Sequence, residues 1–194
     1  MCFCCRVVAH QLALPLVPSV VVADYRVGDG GHARLRGYKD APTAAARDLH
    51  RDAVARRLTD WLDGEGRIVA DGLGPWTVVT PVPSTRRPGP PPAGRLLDEV
   101  PELAVRHLDL LGRGRGAPDH LVACRDGFAL LPGVDRSFLH GLPVLVFDDS
   151  VTTGARSQSA AAALRLAGAH VVGVLAVGRA LRAQSCDSRL PLGR

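Results

Sequence analysis

The chain has 194 residues, with 24 Lys plus Arg against 19 Asp plus Glu and a formal net charge of +5. At 46% hydrophobic and 22% charged residues it has the composition of a globular protein, so folding does not require disulfides or a structural metal. No run of about 18 apolar residues is present, which excludes a membrane-spanning helix.

Three cysteines crowd the first residues of the chain, at Cys2, Cys4 and Cys5. A zinc site usually combines two separated ligand pairs, and no second pair follows downstream, so we expect no complete zinc site. We interpret these cysteines as the remnant of a zinc module. Because reduced thiols are typical of the cytoplasm, the cysteine pattern favours a cytoplasmic protein.

The next segment, residues 12–23, is nearly all apolar and superficially resembles a secretory signal. Pro15 and Pro18 interrupt the apolar run, and only Arg6 and His10 supply positive charge before it. We therefore interpret the segment as a buried strand that leads into residues 24–26.

Thr43 is expected to cap a helix that ends near Asp63, followed by a buried strand at residues 76–80. The apolar face of this helix is expected to comprise Leu49, Val54, Leu58 and Leu62. A second helix is expected over residues 101–111, and residues 112–116 are expected to form a mobile cationic loop. Residues 121–124 and 128–131 are expected to form short strands or a hairpin.

The last third of the chain carries the clearest pattern. Residues 143–147 form a continuous apolar run, as in a strand buried on both faces of a parallel sheet. An Ala-rich helix is expected over residues 157–167, closed by Gly168, and another buried strand over residues 170–177. This order predicts a right-handed crossover between two parallel strands, with a ligand at their carboxyl ends.

Residues 148–156 lie at that predicted ligand edge. Two adjacent acids, Asp148 and Asp149, are suited to sugar hydroxyls. Thr152, Thr153 and Gly154 then offer hydroxyls and backbone N–H groups at a helix start, where phosphate binds readily. Acids for hydroxyls followed by an anion cradle are typical of a site for ribose 5-phosphate.

The segment 144–155, which reads VLVFDDSVTTGA, resembles the phosphoribosyl pyrophosphate signature of the type I phosphoribosyltransferases. Three further regions narrow the resemblance to the ComF-like branch. They are Tyr25 with residues 35–40, the strand end at residues 79–83 with Arg86 and Arg87, and residues 171–179. The resemblance implies an α/β fold with a twisted, mostly parallel sheet flanked by helices. It also implies an N-terminal strand, hood-like region and helix at residues 1–66, a phosphoribosyltransferase core at 67–179 and a C-terminal tail at 180–194.

The resemblance also implies roles for individual residues. Asp148 and Asp149 would hold the ribose hydroxyls directly or through Mg²⁺, and with Arg86 they are the expected catalytic residues. The 5-phosphate would be bound by Thr152, Thr153, Gly154, Ala155, Arg156 and Ser157. The pyrophosphate loop would comprise Ser84, Thr85, Arg86 and Arg87, and further pocket or lid residues would be Tyr38, Lys39, Arg113 and Arg115. Many relatives have Thr where Arg156 stands, and an arginine there either meets the phosphate or reshapes the pocket.

The implied reaction displaces pyrophosphate at the anomeric carbon of phosphoribosyl pyrophosphate by a nitrogen nucleophile or water, with Mg²⁺ as the cofactor. The sequence does not identify the acceptor, and a homodimer is compatible with the resemblance. Two other functions stay open: a non-catalytic sensor of phosphoribosyl compounds, and an accessory protein of DNA uptake. Scattered positive charge and 4% aromatic residues weigh against a nucleic-acid partner.

Overall fold

A computed structural model describes residues 2–85, 89–116 and 118–181 of the chain. The helices within these residues are α1 (Phe3–Leu12), α2 (Gly30–Asp40), α3 (Ala44–Asp63), α4 (Glu65–Asp71), α5 (Pro92–Asp98), α6 (Pro101–Ala104), α7 (Arg136–Leu139) and α8 (Ala155–Leu166). The strands are β1 (Ser19–Arg26), β2 (Val78–Pro81), β3 (Leu111–Arg113), β4 (Phe128–Leu130), β5 (Pro143–Val151) and β6 (His170–Leu181).

Four of these strands form a parallel sheet in the order β1-β6-β5-β2. The central strands β5 and β6 are almost entirely buried, because their apolar runs are covered on both faces. The remaining pair, β3 and β4, is antiparallel and lies outside this sheet. The expected mostly parallel sheet flanked by helices is therefore confirmed.

Alternate side chains of β5 enter two different cores. Leu145 and Phe147 pack in a cluster that also contains buried residues of α2, α3 and α5. Val144 and Val146 pack in a second cluster with Ala160 and Ala161 of α8. Successive side chains of a strand point to opposite faces of the sheet. The side chains of Asp148 and Asp149, near the end of β5, therefore start from opposite faces.

Most of the helix expected after Thr43 is confirmed. The Thr43 hydroxyl accepts a hydrogen bond from the Ala46 N–H at 3.1 Å, and α3 ends at Asp63. Val54, Leu58 and Leu62 are buried as expected. Leu49 was wrongly assigned to the apolar face: it is 65% exposed, because it precedes the part of α3 that packs on the core.

The sequence interpretation was wrong between residues 101 and 124. The helix there ends at Ala104 instead of 111, because the following backbone pairs with β2: the Val79 N–H donates to the Arg106 carbonyl at 2.9 Å. Residues 112–116 were expected to be a mobile loop, but Gly112 and Arg113 belong to β3, which pairs with β4. Residues 121–124 are not a strand, whereas Phe128–Leu130 is.

The apolar segment at residues 12–23 lies between a helix and a strand and contributes only its last residues to the strand. Residues 3–12 form α1, whose Val8 and Leu12 pack with Ala155 and Ala162 of α8. The strand begins at Ser19 and not at residue 12, and it runs parallel to β6. Among the described residues, no helix is both long and apolar enough to cross a membrane.

Candidate functional site

A cavity of about 470 Å³ opens at the carboxyl ends of the parallel strands. Its walls come from β1, α2, the segment after β2, the end of β5 and the start of α8. The carboxyl edge of a parallel sheet is where ligands bind in folds of this class, because helix amino termini and loops converge there. The site residues below are placed relative to this cavity, which we call the main cavity.

The adjacent acids at the end of β5 line the main cavity. Asp148 is 3% exposed and Asp149 is 4% exposed, and both lie within β5, which extends beyond the apolar run at residues 143–147. Asp149 continues the face of Leu145 and Phe147 toward α2, where its carboxylate contacts the Lys39 ammonium. A buried carboxylate is costly without such a partner, so Lys39 stabilises Asp149 in the absence of a ligand.

Burial changes the proton affinity of both acids. It raises the pKa of Asp149 to about 7 and also raises the pKa of Asp148, since the charged form loses hydration. The Arg156 guanidinium lowers the pKa of both carboxyls, and the Lys39 ammonium lowers that of Asp148. The charge of the acid pair thus depends on burial, which favours the neutral form, and on the two cations, which oppose that effect.

Arg156 joins the start of α8 to the segment after β2. Its guanidinium donates through Nη2 to the Pro83 carbonyl at 3.1 Å, and it lines the main cavity. The Arg156 Nε is buried and has no hydrogen-bond partner among the described residues. A partly exposed guanidinium with a buried, unused donor is suited to an anionic ligand, so Arg156 is compatible with phosphate binding.

The six predicted phosphate-loop residues, all of them described, fall into two groups. Thr152 and Arg156 line the main cavity. The others shape the loop: Thr153 donates to the His120 carbonyl at 2.5 Å and accepts from the Ala155 N–H at 3.2 Å, while Ser157 donates to the Gly154 carbonyl at 3.1 Å. Gly154 caps α8 with φ +79°, a conformation that favours glycine.

The predicted pyrophosphate loop is described only in part. Ser84 and Thr85 line the main cavity, whereas Arg86 and Arg87 lie outside the described residues. Arg113 donates through Nε to the Ser84 carbonyl at 3.0 Å, which ties β3 to this loop. The structure therefore brings one of the two proposed lid arginines to the loop.

The remaining predicted pocket residues lie at different places. Lys39 lines the main cavity. Tyr38 is buried beside it, and the Lys39 ammonium lies 5.4 Å from the Tyr38 ring centroid. Arg115 is exposed and is not part of the cavity wall.

Sequence reasoning missed several residues of the cavity wall. The Tyr25 hydroxyl lies 2.5 Å from the Ser150 Oγ, and the Tyr25 ring stacks on His32 with centroids 5.8 Å apart. The other missed polar residues are Arg36, Asp40, Asp119 and His120. The position of Tyr25 at the site could have been predicted from the parallel sheet. In such a sheet, the carboxyl end of β1 lies at the same edge as that of β5.

The main cavity has acidic and basic side chains close to one another. Buried carboxylates can accept hydrogen bonds from hydroxyls, while Arg156 and the start of α8 offer donors to an anion. The arrangement is chemically suited to a ligand that has both hydroxyl and phosphate groups. Comparisons with protein-family models, with curated proteins and with solved structures find no match to this chain.

Proposed function

We propose that this chain is a phosphoribosyltransferase-like enzyme that binds phosphoribosyl pyrophosphate with Mg²⁺. In the proposed reaction, a nitrogen nucleophile or water displaces pyrophosphate at the anomeric carbon of the ribose. The proposal unites the sequence resemblance at residues 144–155 with the chemistry of the main cavity.

The observation that carries the proposal is the placement of Asp148 and Asp149. Both carboxylates are almost fully buried, and they line a cavity that also contains the Arg156 guanidinium with its unpaired Nε. Burying two adjacent acids opposes folding unless they serve a ligand or are paired. A ribose with two hydroxyls and a 5-phosphate satisfies both the acids and the guanidinium.

Mg²⁺ suits the residues present. It prefers oxygen ligands, and it is typically held by one or two carboxylates, water and the phosphates of a substrate. Asp148 and Asp149 supply such carboxylates, and they would hold the ion directly or through water and the ligand. When bound, the ion would neutralise the charge that develops on the departing pyrophosphate.

The chain's own residues would position the donor and stabilise charge. Asp148 and Asp149 would orient the ribose hydroxyls, Thr152 and Arg156 would bind the 5-phosphate, and the backbone and hydroxyls at Ser84 and Thr85 would meet the pyrophosphate. Glycosyl transfer passes through a state with positive charge at the anomeric carbon, which nearby carboxylates stabilise. The bond from this carbon to the pyrophosphate oxygen breaks as the bond to the nucleophile forms.

A non-catalytic sensor of the same ligand is the second candidate, and the contact between Lys39 and Asp149 favours it. This contact supplies a cation of the protein itself at the acid pair, so a ligand could bind there without a metal. Mg²⁺ dependence therefore separates the two candidates.

Thermal unfolding with and without ligand tests the shared premise. We expect phosphoribosyl pyrophosphate with Mg²⁺ to raise the Tm of the wild-type chain, and Asp149→Asn to abolish the shift. Asp60→Asn, at an exposed position of α3, is the matched control and should keep the shift. No shift at millimolar ligand in the wild-type chain would refute both candidates.

Pyrophosphate release then distinguishes the enzyme from the sensor. Amines, nucleobases and water are offered as acceptors with Mg²⁺ present. Release that depends on Mg²⁺ and is lost in Asp149→Asn supports the enzyme. Binding that persists without Mg²⁺, with no release for any acceptor, supports the sensor.

A further inference from the structure

A second cavity of about 220 Å³ adjoins the main cavity and shares Lys39 and Pro92 with it. It lies between the end of α2, the first turns of α3 and the start of α5. Its volume is several times the roughly 30 Å³ that one water molecule occupies in the liquid, so it can hold a charged group with part of the molecule that carries it.

The wall of the second cavity is strongly basic. Among the described residues, it contains one acidic side chain, Asp48, and four cationic ones, which are Lys39, Arg47, Arg51 and Arg95. Cations gathered in a concave surface of low dielectric raise the local concentration of anions. The charge of this wall therefore predicts an anionic ligand.

The partners of these cations leave much of the charge uncompensated. Arg51 is paired, because it contacts Asp48 at 3.0 Å and Glu99 at 3.1 Å. Arg47 donates to the Ala41 carbonyl at 2.8 Å, which positions the guanidinium without neutralising it. Neither Arg47 nor Arg95 forms an ion pair with a described residue.

One residue of the same wall carries a buried hydroxyl that has no partner in the described part of the chain. Tyr38 is 6% exposed, and its hydroxyl has no hydrogen-bond partner among the described residues. A buried hydroxyl without a partner opposes folding, and such groups in native proteins call for an explanation. An oxyanion bound in the cavity that Tyr38 lines is one such explanation.

We propose that the second cavity binds the anionic group, a carboxylate or a phosphate, of the acceptor that attacks the phosphoribosyl donor. This inference rests on the proposed function, and it specifies the substrate class that the sequence leaves open. The acceptor's anionic group would lie between Arg47 and Arg95, while its nitrogen would extend past Lys39 into the main cavity. The nitrogen lone pair then forms the bond to the anomeric carbon as the pyrophosphate oxygen leaves with its electron pair, and the nitrogen's proton passes to water.

Calorimetric titration with benzoate tests the anion site directly, because the neutral analogue benzamide has nearly the same shape. We expect the wild-type chain to bind benzoate and not benzamide. Arg95→Gln and Arg47→Gln should each weaken benzoate binding at least tenfold. Arg57→Gln, at an exposed position of α3 outside the cavity wall, is the matched control and should bind like the wild type.

Three results would overturn the proposal. One is equal binding of benzoate and benzamide, or no benzoate binding at all. Another is benzoate binding that is lost in Arg156→Gln and kept in Arg95→Gln, which would locate it in the main cavity. The last is competition between benzoate and phosphoribosyl pyrophosphate, which would assign the second cavity to a phosphate of the donor.

The same titrations separate this proposal from the proposed function. Benzoate is titrated into the free protein and into protein preincubated with phosphoribosyl pyrophosphate and Mg²⁺. Benzoate binding without any response to phosphoribosyl pyrophosphate contradicts the proposed function and, with it, the acceptor assignment. A response to phosphoribosyl pyrophosphate without benzoate binding contradicts the anion site alone. Simultaneous binding of both supports the acceptor assignment.

Discussion

The two cavities share the Lys39 side chain and differ in how their charges are balanced. In the main cavity, the acids Asp148 and Asp149 face the cations Lys39 and Arg156. In the second cavity, Arg47 and Arg95 have no acidic partner among the described residues. Within the described part of the chain, the acids of the main cavity therefore face cations, whereas Arg47 and Arg95 of the second cavity keep their positive charge.

This difference has consequences for ligand binding. A ligand that reaches Asp149 must compete with Lys39, so binding in the main cavity is coupled to breaking or rearranging an ion pair. An anion in the second cavity displaces no carboxylate from Arg47 or Arg95. The main cavity should accordingly dominate the stability and the pH response of the free protein, while the second should affect mainly binding.

The largest expected effect is the pH dependence that comes from Asp149. Because burial raises its pKa to about 7 from 3.8, the folded protein binds a proton more tightly than the unfolded chain does. The resulting contribution to the free energy of unfolding is fully present below about pH 4 and is lost as the pH rises to 7. Its size is on the order of 4 kcal/mol, at about 1.4 kcal/mol for each pH unit.

Urea unfolding of the wild type and Asp149→Asn between pH 4 and pH 8 measures this contribution. As the pH rises, the free energy of unfolding of the wild type should fall relative to that of Asp149→Asn. Asp60→Asn serves as the control for a general charge effect. A pH-independent difference between wild type and Asp149→Asn would contradict the assignment.

The next effect is the loss, in Lys39→Met, of the ion pair between the half-buried Lys39 ammonium and the buried Asp149 carboxylate. Removing one partner of a buried pair leaves an uncompensated charge, and we expect a loss of about 3 kcal/mol at pH 8. The loss should shrink at pH 5, because Asp149 becomes protonated and no longer needs a cation. The double variant Lys39→Met with Asp149→Asn should recover most of the stability in urea unfolding, and an equal loss in single and double variants would show that the contact is unimportant.

Smaller effects, of opposite sign, are expected for two buried tyrosines. Tyr38→Phe removes a hydroxyl that is unpaired among the described residues and should stabilise the free protein by about 1 kcal/mol. Tyr25→Phe removes the contact with Ser150 and should destabilise it by about 1 kcal/mol. Urea unfolding at pH 7 measures both, and a destabilised Tyr38→Phe would mean that the Tyr38 hydroxyl already has a partner.

The fold was predictable where local pattern and tertiary pairing agree. The β5–α8–β6 unit follows from apolar strands and an Ala-rich helix, and Gly168 with φ +103° ends that helix as its residue type indicates. Residues 106–108 were not predictable in this way, because their departure from the helix comes with hydrogen bonds to Val79 and a β-bridge between Val79 and His107. A tertiary contact of that kind overrides local helix propensity.

The candidate site was predictable to a similar degree. The acid pair and the start of α8 carry a recognisable order of residue types, so the sequence located Asp148, Asp149, Thr152 and Arg156. The second cavity joins α3 to α5, and its arginines look like ordinary solvated residues in the sequence. Only the packing of α2, α3 and α5 brings Arg47 and Arg95 to one wall.

The smallest expected effect is the change in stability of Arg95→Gln. This variant tests the second cavity, whereas the variants at Asp149 and Lys39 test the main cavity. Arg95 is exposed and forms no ion pair with a described residue, so its loss should change the free energy of unfolding by no more than about 0.5 kcal/mol. Benzoate at ten times its Kd should nevertheless stabilise the wild type by about 1.4 kcal/mol and this variant by much less. Urea unfolding with and without benzoate measures both quantities. A large loss of stability without benzoate would mean that Arg95 supports the fold, and the second cavity would then resemble the main one in being balanced from within.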